Sequence, residues 1–263
     1  MPGLSRNTLW VKCSKPNPQA RFRLFCFPYA GGGASLFRSW ANRLPSEVEV
    51  CAVQLPGRED RLSEPAFTSM SPLVEALAHA LTPYLQDKPY AFFGHSMGAF
   101  VSFELARYLR KQHQVHTGLL QLFVSAQRAP QLPDPEPPVH ALPDNEFIEE
   151  LRTLNGTPTE ILQNVEVLEI TLPLLRADFA ICETYRYIPE EPLLCPIFAC
   201  GGIDDKEIDD EKISAWREQT QSSFTRCMFP GDHFFLHSSQ AELLQALSHQ
   251  FLLLLRYAPQ RYS

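Results

Sequence analysis

Short apolar runs alternate along the chain with longer segments in which apolar residues recur every three or four positions. Runs of this length, bounded by glycine or proline, are typical of buried strands, whereas the longer spacing is typical of helices. The predicted strands occupy residues 23–27, 48–55, 90–93, 119–125, 196–200 and 224–229. The predicted helices occupy residues 36–44, 72–85, 97–111, 210–220 and 240–255. This alternation predicts an α/β fold with a mostly parallel central sheet and helices on both faces.

The alternation stops between residues 126 and 192. This segment opens with six prolines between positions 130 and 143. Because proline fixes the backbone φ angle, we expect a stiff, extended connector there. We expect a single domain that spans residues 1–263, with a helical insert over about residues 127–192.

Three helical patterns follow the prolines. Asp144 can cap the first helix, and residues 157–160 have the form of a capping box that begins the second. The third carries an apolar stripe over residues 168–182 and is expected to kink at Pro173. The stripe suits either a helix that covers a pocket or ordinary core packing.

Composition narrows the class of protein. The chain has 263 residues, a formal net charge of −7 and seven cysteines. The acidic balance argues against a nucleic-acid partner, and the irregular cysteine spacing fits neither a disulfide framework nor a metal site. The first residues lack a secretory pattern and no apolar run is long enough to span a bilayer, so we expect a soluble, cytoplasmic protein without membrane contact.

One motif carries most of the chemical information. Gly94-His95-Ser96-Met97-Gly98 lies directly between a predicted strand and a predicted helix. Two glycines that flank a serine at this spacing are typical of a nucleophile elbow, a turn so tight that neither flanking position has room for a side chain. The motif predicts that Ser96 is a nucleophile exposed above the sheet, whereas we interpret His95 as structural or pocket-lining.

A serine nucleophile needs a base and a carboxylate that orients the base. After an elbow, the expected chain order is serine, acidic residue, histidine. His233 follows the last predicted strand and is our candidate for the base, while His113, His116 and His237 are interpreted as surface residues.

The carboxylate follows the strand at residues 196–200, where two consecutive aspartates occur. Asp205 stands three residues after Gly202 and three before the apolar Ile208, the placement common for this carboxylate, so we choose Asp205. Asp204 is the alternative, and Asp232 is interpreted as a solvated loop residue.

Acyl transfer also requires backbone donors for the oxyanion of the tetrahedral intermediate. The amide that follows the nucleophile is that of Met97. The loop after the first predicted strand supplies the second donor, which we expect to be Tyr29 or Ala30.

Five motifs in order resemble the type II (external) thioesterases that serve nonribosomal peptide and polyketide synthases. These segments are Phe27-Pro28-Tyr29-Ala30-Gly31-Gly32, Gln54-Leu55-Pro56-Gly57-Arg58-Glu59, Phe93-Gly94-His95-Ser96-Met97-Gly98, Leu175-Arg176-Ala177-Asp178 and Gly231-Asp232-His233-Phe234-Phe235-Leu236. The resemblance runs from about residue 23 to 255. It implies an α/β-hydrolase fold, with the helical insert as a lid and a catalytic triad of Ser96, Asp205 and His233.

The resemblance also implies a function. Such an enzyme hydrolyses acyl groups held as thioesters on the phosphopantetheine arm of acyl or peptidyl carrier proteins, and so clears stalled or misprimed synthase modules. We expect a monomer with no cofactor or metal of its own. Carrier proteins are themselves usually acidic, so docking would rest on apolar contacts of the lid and on local cations. Arg107, Arg110 and Lys111 are candidates for these cations, although a solvated helix end is the interpretation we favour for them. Arg176 and Asp178 are expected to pair with each other or to contact substrate.

Other functions stay open at this point. A medium-chain acyl-carrier-protein thioesterase that terminates fatty acid synthesis shares these motifs, and an esterase or lactonase would act on free small molecules. An acyl-binding scaffold on the same fold would not turn over substrate. The complete set of serine, carboxylate and histidine argues against the scaffold.

Overall fold

A computed structural model describes residues 8–113, 118–134, 136–154 and 164–257. Its centre is a seven-stranded sheet in the order β1-β3-β2-β4-β5-β6-β7. The strands are β1 (Val11–Lys12), β2 (Phe22–Phe27), β3 (Val48–Val53), β4 (Tyr90–His95), β5 (Leu119–Ser125), β6 (Ile197–Gly202) and β7 (Phe224–Phe229). All neighbours are parallel except β1, which pairs antiparallel with β3 at the edge. This is the predicted α/β-hydrolase architecture.

Helices cover the sheet and connect its strands. They are α1 (Met70–Leu85), α2 (Met97–His113), α3 (Asp144–Leu154), α4 (Val165–Glu183), α5 (Asp210–Ser214), α6 (Phe235–Ser238) and α7 (Gln240–Tyr257). In the ranges that the structure describes, no helix combines the length and apolar character that a bilayer span requires.

Alternating side chains of the strands supply two apolar cores. On β4, Phe92 belongs to one cluster together with Leu77 of α1 and Phe103 of α2. Its neighbour Phe93 belongs to the other, together with Leu247 of α7 and with Trp40, whose ring centroid lies 4.8 Å from that of Phe93. Because consecutive strand residues point to opposite faces, helices must lie on both sides of the sheet, as predicted.

Two predicted helices differ from the structure, and one strand was not predicted. Residues 36–44 form two short 3-10 helices (Ala34–Phe37 and Trp40–Asn42) instead of one α-helix. A second helical stretch, predicted at 210–220, is α5 followed by a 3-10 turn at Ala215–Gln219. Short 3-10 turns share much of the spacing of apolar residues in an α-helix, so the pattern alone does not separate them. The edge strand β1 was not predicted, because two residues are too few to form a recognisable pattern.

The insert contains the predicted first and third helices, α3 and α4. Asp144 is the first residue of α3 rather than its cap, because the Phe147 amide bonds to the carbonyl of Pro143. Asn164 caps α4, its side chain accepting the Val167 amide. The capping box at 157–160 lies outside the described residues.

Candidate active site

The turn between β4 and α2 presents Ser96. Its φ angle is 52°, in the left-handed region that an L-residue occupies only when its surroundings enforce it. A Cβ atom on Gly94 would lie 2.0 Å from the carbonyl oxygen of Gly98, and one on Gly98 would lie 2.2 Å from that of Phe27. Only glycine fits at either position, and this tight packing projects the serine hydroxyl beyond the carboxyl edge of the sheet.

Two loops at the same edge of the sheet supply side chains that are hydrogen-bonded in series to Ser96. Nε2 of His233 lies 3.0 Å from Oγ of Ser96, and Nδ1 lies 2.8 Å from Oδ2 of Asp205. With the proton on Nδ1, His233 donates to the carboxylate and its Nε2 accepts the serine hydroxyl proton. The structure thus brings together the three residues that follow β4, β6 and β7.

The carboxylate of Asp205 is held from two sides. Oδ1 accepts the backbone amides of Glu207 and Ile208, at 3.0 Å and 3.1 Å, while Oδ2 faces His233. Burial works to raise the pKa of Asp205, but the hydrogen bond and charge of His233 and the two amides outweigh it and lower the pKa. The side chain therefore remains a carboxylate that holds the imidazole in one orientation.

The neighbouring aspartates have other environments. The Asp204 side chain faces solvent, and its backbone amide bonds to the Gly231 carbonyl, which ties the two catalytic loops together. Asp232 is also exposed and accepts the Phe234 amide within its own turn.

His95 has a role that the sequence did not reveal. It is fully buried; Nδ1 lies 2.9 Å from Oγ of Ser125, and Nε2 lies 2.9 Å from the carbonyl oxygen of His233. Burial, followed by the charge of His233, lowers its pKa well below the ordinary 6.5. A neutral His95 that donates from Nε2 holds the backbone of His233. The pairing register of β4 and β5 could have indicated the contact with Ser125, because His95 and Ser125 are partners across these strands.

The loop after β2 lies beside the elbow and offers amide donors. Gly31 N–H is bonded to Asp178, and Gly32 N–H to the carbonyl of Tyr29. In the parts of the chain described above, no hydrogen bond occupies the amides of Tyr29, Ala30 or Met97. These three remain available to an oxyanion.

Aromatic and histidine side chains cluster around Tyr29, next to the elbow residue His95. The half-buried Tyr29 ring meets His95, Phe234 and His237 edge to face, and its hydroxyl lies 3.1 Å from Nε2 of His237. Burial raises the pKa of Tyr29, so the phenol stays neutral. His237 is thus exposed, as predicted, but it contacts the site. The His113 side chain and His116 lie outside the described residues.

The expected docking cations are already in ion pairs. Glu190 accepts Arg107 at 2.8 Å, Arg110 at 3.1 Å and Lys111 at 2.6 Å. Arg107 is also buried against Glu104. These ion pairs fasten the segment before β6 to α2, so the three side chains have a structural partner rather than forming only a solvated helix end.

Across the described residues, no group of three or more histidine, cysteine, aspartate or glutamate side chains is arranged to hold a metal ion.

Comparisons with known proteins agree on one family. A family model described as a thioesterase domain matches residues 22–251. The gramicidin S biosynthesis protein GrsT of Aneurinibacillus migulanus is 47% identical over 97% of this chain and 98% of that protein. Linear gramicidin dehydrogenase LgrE of Brevibacillus parabrevis is 51% identical over 89% of each. The solved structure of RedJ, a thioesterase from the prodiginine pathway of Streptomyces coelicolor, is 42% identical, with a TM-score of 0.81 over 88% of this chain and 85% of that one.

Proposed function

The chain belongs to the thioesterase family, and we propose that it is a type II thioesterase that hydrolyses acyl groups from the phosphopantetheine arm of carrier proteins. One observation carries the proposal: the hydrogen-bonded series Ser96–His233–Asp205 lies beside backbone amides for which the described part of the chain offers no other acceptor. This arrangement combines a nucleophile, a base and an oxyanion site, which are the groups that acyl transfer requires.

In the first half-reaction, Oγ of Ser96 attacks the thioester carbonyl carbon while Nε2 of His233 accepts the hydroxyl proton. The negative charge that develops on the carbonyl oxygen is stabilised by the amide of Met97 and by that of Tyr29 or Ala30. Asp205 stabilises the imidazolium without taking its proton. Collapse of the intermediate breaks the carbon–sulfur bond, and the pantetheine sulfur leaves as a thiol with the proton from His233.

In the second half-reaction, water replaces the thiol. Nε2 of His233 accepts a proton from the water as its oxygen attacks the acyl-serine carbonyl. The second tetrahedral intermediate uses the same amides, and its collapse returns the proton to Oγ of Ser96. The free acid leaves and the resting site is restored, so the cycle needs no cofactor of the enzyme's own.

The partners we propose are acyl or peptidyl carrier proteins of nonribosomal peptide and polyketide synthases. The biosynthetic pathways named for GrsT and RedJ support this assignment. There the enzyme would clear stalled or misprimed modules, acting as a monomer in the cytoplasm. A reducing compartment is supported by the cysteines, all seven of which lie in the described ranges and outside any disulfide.

The name of one relative points to different chemistry. LgrE is called a dehydrogenase, but the glycines of the present chain do not form the Gly-x-Gly-x-x-Gly pattern of a dinucleotide-binding loop. The relatives GrsT and RedJ, which are named for biosynthetic pathways, also favour editing over chain termination in fatty acid synthesis. The length of acyl chain that the enzyme prefers separates these two functions.

The proposal is tested by measuring the release of free acid from a phosphopantetheinylated carrier protein loaded with acyl groups. The acyl groups have about two to about twelve carbons, so that they cover short and medium chain lengths. The same acyl groups on free pantetheine form the comparison series, and Ser96→Ala is the inactive control. We expect faster release from the carrier, broad tolerance of short acyl groups and no release by Ser96→Ala.

Three results would overturn parts of the proposal. Equal rates on carrier and free pantetheine would indicate a general hydrolase. A sharp optimum at medium chain length would favour chain termination. Undiminished activity in Ser96→Ala would show that Ser96 is not the nucleophile.

A further inference from the structure

A carboxylate on the insert helix α4 is buried against the loop that carries the second oxyanion donor. Asp178 is fully buried, and its two oxygens accept the terminal nitrogens of Arg58 at 2.7 Å and 2.8 Å. The oxygen at 2.7 Å also accepts the amide of Gly31 at 2.7 Å. The expected pairing of Asp178 with Arg176 is therefore wrong. Asp178 instead joins α4 to the loops after β2 and β3.

Arg58 also forms a hydrogen bond with the same loop. Its Nη1 donates to the Gly32 carbonyl at 3.1 Å, and its Nε donates to the Pro56 carbonyl at 3.2 Å. Gln54 holds the Arg58 backbone, its Nε2 donating to the Arg58 carbonyl at 2.9 Å, and its Oε1 accepts the Ala34 amide at 2.7 Å. The loop after β2 is thus fixed at its glycines and at the first residue of the following 3-10 helix.

Stability alone does not explain a buried ion pair of this kind. Removing both charges from water costs much of what their attraction returns, and well-packed apolar residues often serve equally well. What the pair supplies here is a defined geometry. A bidentate guanidinium fixes the carboxylate plane, and the carboxylate in turn fixes the direction of one backbone amide.

That amide belongs to a residue in a restricted conformation. Gly31 has a φ angle of 77°, and a Cβ there would lie 2.6 Å from Cδ2 of Leu175 on α4. The helix therefore packs directly onto the loop, and the elbow contacts the start of the same loop, where Gly98 approaches the backbone of Phe27 and Pro28. The Gly31 amide belongs to the peptide that follows Ala30, so fixing its direction restricts the φ and ψ angles of Ala30 and with them the neighbouring Tyr29–Ala30 peptide.

We propose that Asp178, clamped by Arg58, is a positioning residue for the oxyanion site. By accepting the Gly31 amide, Asp178 holds the loop in the conformation in which the amide of Tyr29 or Ala30 faces the reacting carbonyl. The oxyanion site therefore forms only when α4 is packed in place, because Asp178 on that helix holds the loop. Asp178 touches no reacting atom, and the inference rests on the function proposed above for Ser96 and His233.

The test compares Asp178→Asn with Asp144→Asn. Asn keeps the size of Asp178 but replaces one acceptor oxygen by an NH₂ group that must face an N–H donor. The control breaks another ion pair of α4, in which Arg176 meets Asp144 of α3 at 2.6 Å without reaching the glycine loop. Both variants lose one negative charge, and both remove an ion-pair partner of the insert.

We expect Asp178→Asn to lower kcat on an acyl-pantetheine thioester by roughly 100-fold, the scale of effect of a misplaced oxyanion donor, with KM changed by less than about threefold. Affinity for a trifluoromethyl ketone analogue, which forms an oxyanion with Ser96, should fall by the same factor as kcat/KM. Exhaustive labelling with a fluorophosphonate counts the competent sites, so a variant that merely unfolds gives fewer sites of unchanged affinity. Asp144→Asn should retain wild-type kcat and analogue affinity.

Equal behaviour of the two variants would overturn the inference, as would a fall in site number that accounts for the whole loss of kcat. The proposed function fails separately, if the wild-type protein does not hydrolyse the thioester or if Ser96→Ala hydrolyses it as well as the wild type.

Discussion

Asp204 and Asp205 are adjacent in sequence and differ completely in surroundings. The side chain of Asp205 is buried and accepts three hydrogen bonds, whereas that of Asp204 extends into solvent. At the scale of single residues, this contrast allows a comparison in which the chemical change is identical and only the position differs.

We predict that Asp205→Asn lowers kcat by about 10³- to 10⁴-fold, because an amide no longer selects the Nδ1–H tautomer of His233 or stabilises the imidazolium. Asp204→Asn should leave kcat within about twofold of the wild type, since surface substitutions seldom disturb a site. Steady-state kinetics on one acyl-pantetheine substrate measure both. Similar losses in the two variants would contradict the assignment of the carboxylate.

His95 links protonation to stability. Its pKa is depressed in the folded protein and is 6.5 in the unfolded chain, so below pH 6.5 the unfolded state binds the additional proton. The contribution of His95 is therefore fully present above pH 6.5 and is lost as the pH falls toward the folded-state pKa. The slope reaches at most about 1.4 kcal/mol per pH unit.

We predict that His95→Gln removes this component, so that the loss of unfolding free energy between pH 6.5 and 5 shrinks by up to about 2 kcal/mol. Urea unfolding across that pH range is the measurement. His79→Gln, which alters an exposed histidine on α1, should keep the wild-type slope. An unchanged slope in His95→Gln would show that its burial does not govern the acid response.

At the level of elements, α2 begins so close to β4 and to the end of β2 that backbone atoms, not side chains, form the contact. The atoms that would contact a Cβ on Gly98 belong to the backbone of Phe27 and Pro28, which cannot swing aside as a flexible side chain does. The elbow is therefore set by two strands and one helix together.

We predict that Gly98→Ala lowers the free energy of unfolding by about 3 kcal/mol or more, because backbone segments must separate to admit the methyl group. Gly118→Ala is the matched control: the nearest atom to its Cβ would lie 3.6 Å away, and the change should stay within about 0.5 kcal/mol. Thermal or denaturant unfolding compares the two. Equal stabilities would contradict the close approach of β2 and α2.

Long elements were predictable from sequence, and short ones were not. Strands β2 to β7 and helices α1, α2 and α7 carry several turns or alternations of apolar residues each, enough to show a period. The two-residue β1 and the 3-10 helices near Phe37 and Trp40 are fixed by tertiary pairing and by backbone hydrogen bonds that leave no distinct pattern.

The same contrast holds for the candidate site: residues marked by a local motif were predictable, and contacts between distant residues were not. Ser96, Asp205 and His233 each follow a parallel strand, and chain order with a local motif was enough to nominate them. The contacts of His95 with Ser125 and of Asp178 with Arg58 span 30 and 120 positions. They depend on strand register and on how α4 docks, which one sequence does not encode in a local pattern.

At the scale of the whole molecule, the balance of charge bears on partner recognition. The chain carries a net charge of −7, and the candidate docking cations Arg107, Arg110 and Lys111 are paired with Glu190 and Glu104. The net charge therefore gives no overall attraction toward an acidic partner, and short-range contacts must select it.

We predict that kcat/KM on an acyl-carrier protein stays level or rises as ionic strength increases from about 20 to about 200 mM, because salt screens repulsion between two acidic proteins. Free acyl-pantetheine, measured in parallel, corrects for any effect on the chemical step. A steep fall confined to the carrier substrate would show electrostatic steering by a basic patch.

The central claim is that Ser96 takes the acyl group from a carrier-bound thioester. Its most direct test is rapid mixing of the enzyme with an acyl-carrier protein, acid quenching, and mass measurement of the intact chain and of its Ser96 peptide. We expect a transient mass increase equal to the acyl group, located on Ser96 and absent in Ser96→Ala. Acyl transfer to another residue, or acid release by Ser96→Ala at the wild-type rate, would contradict it.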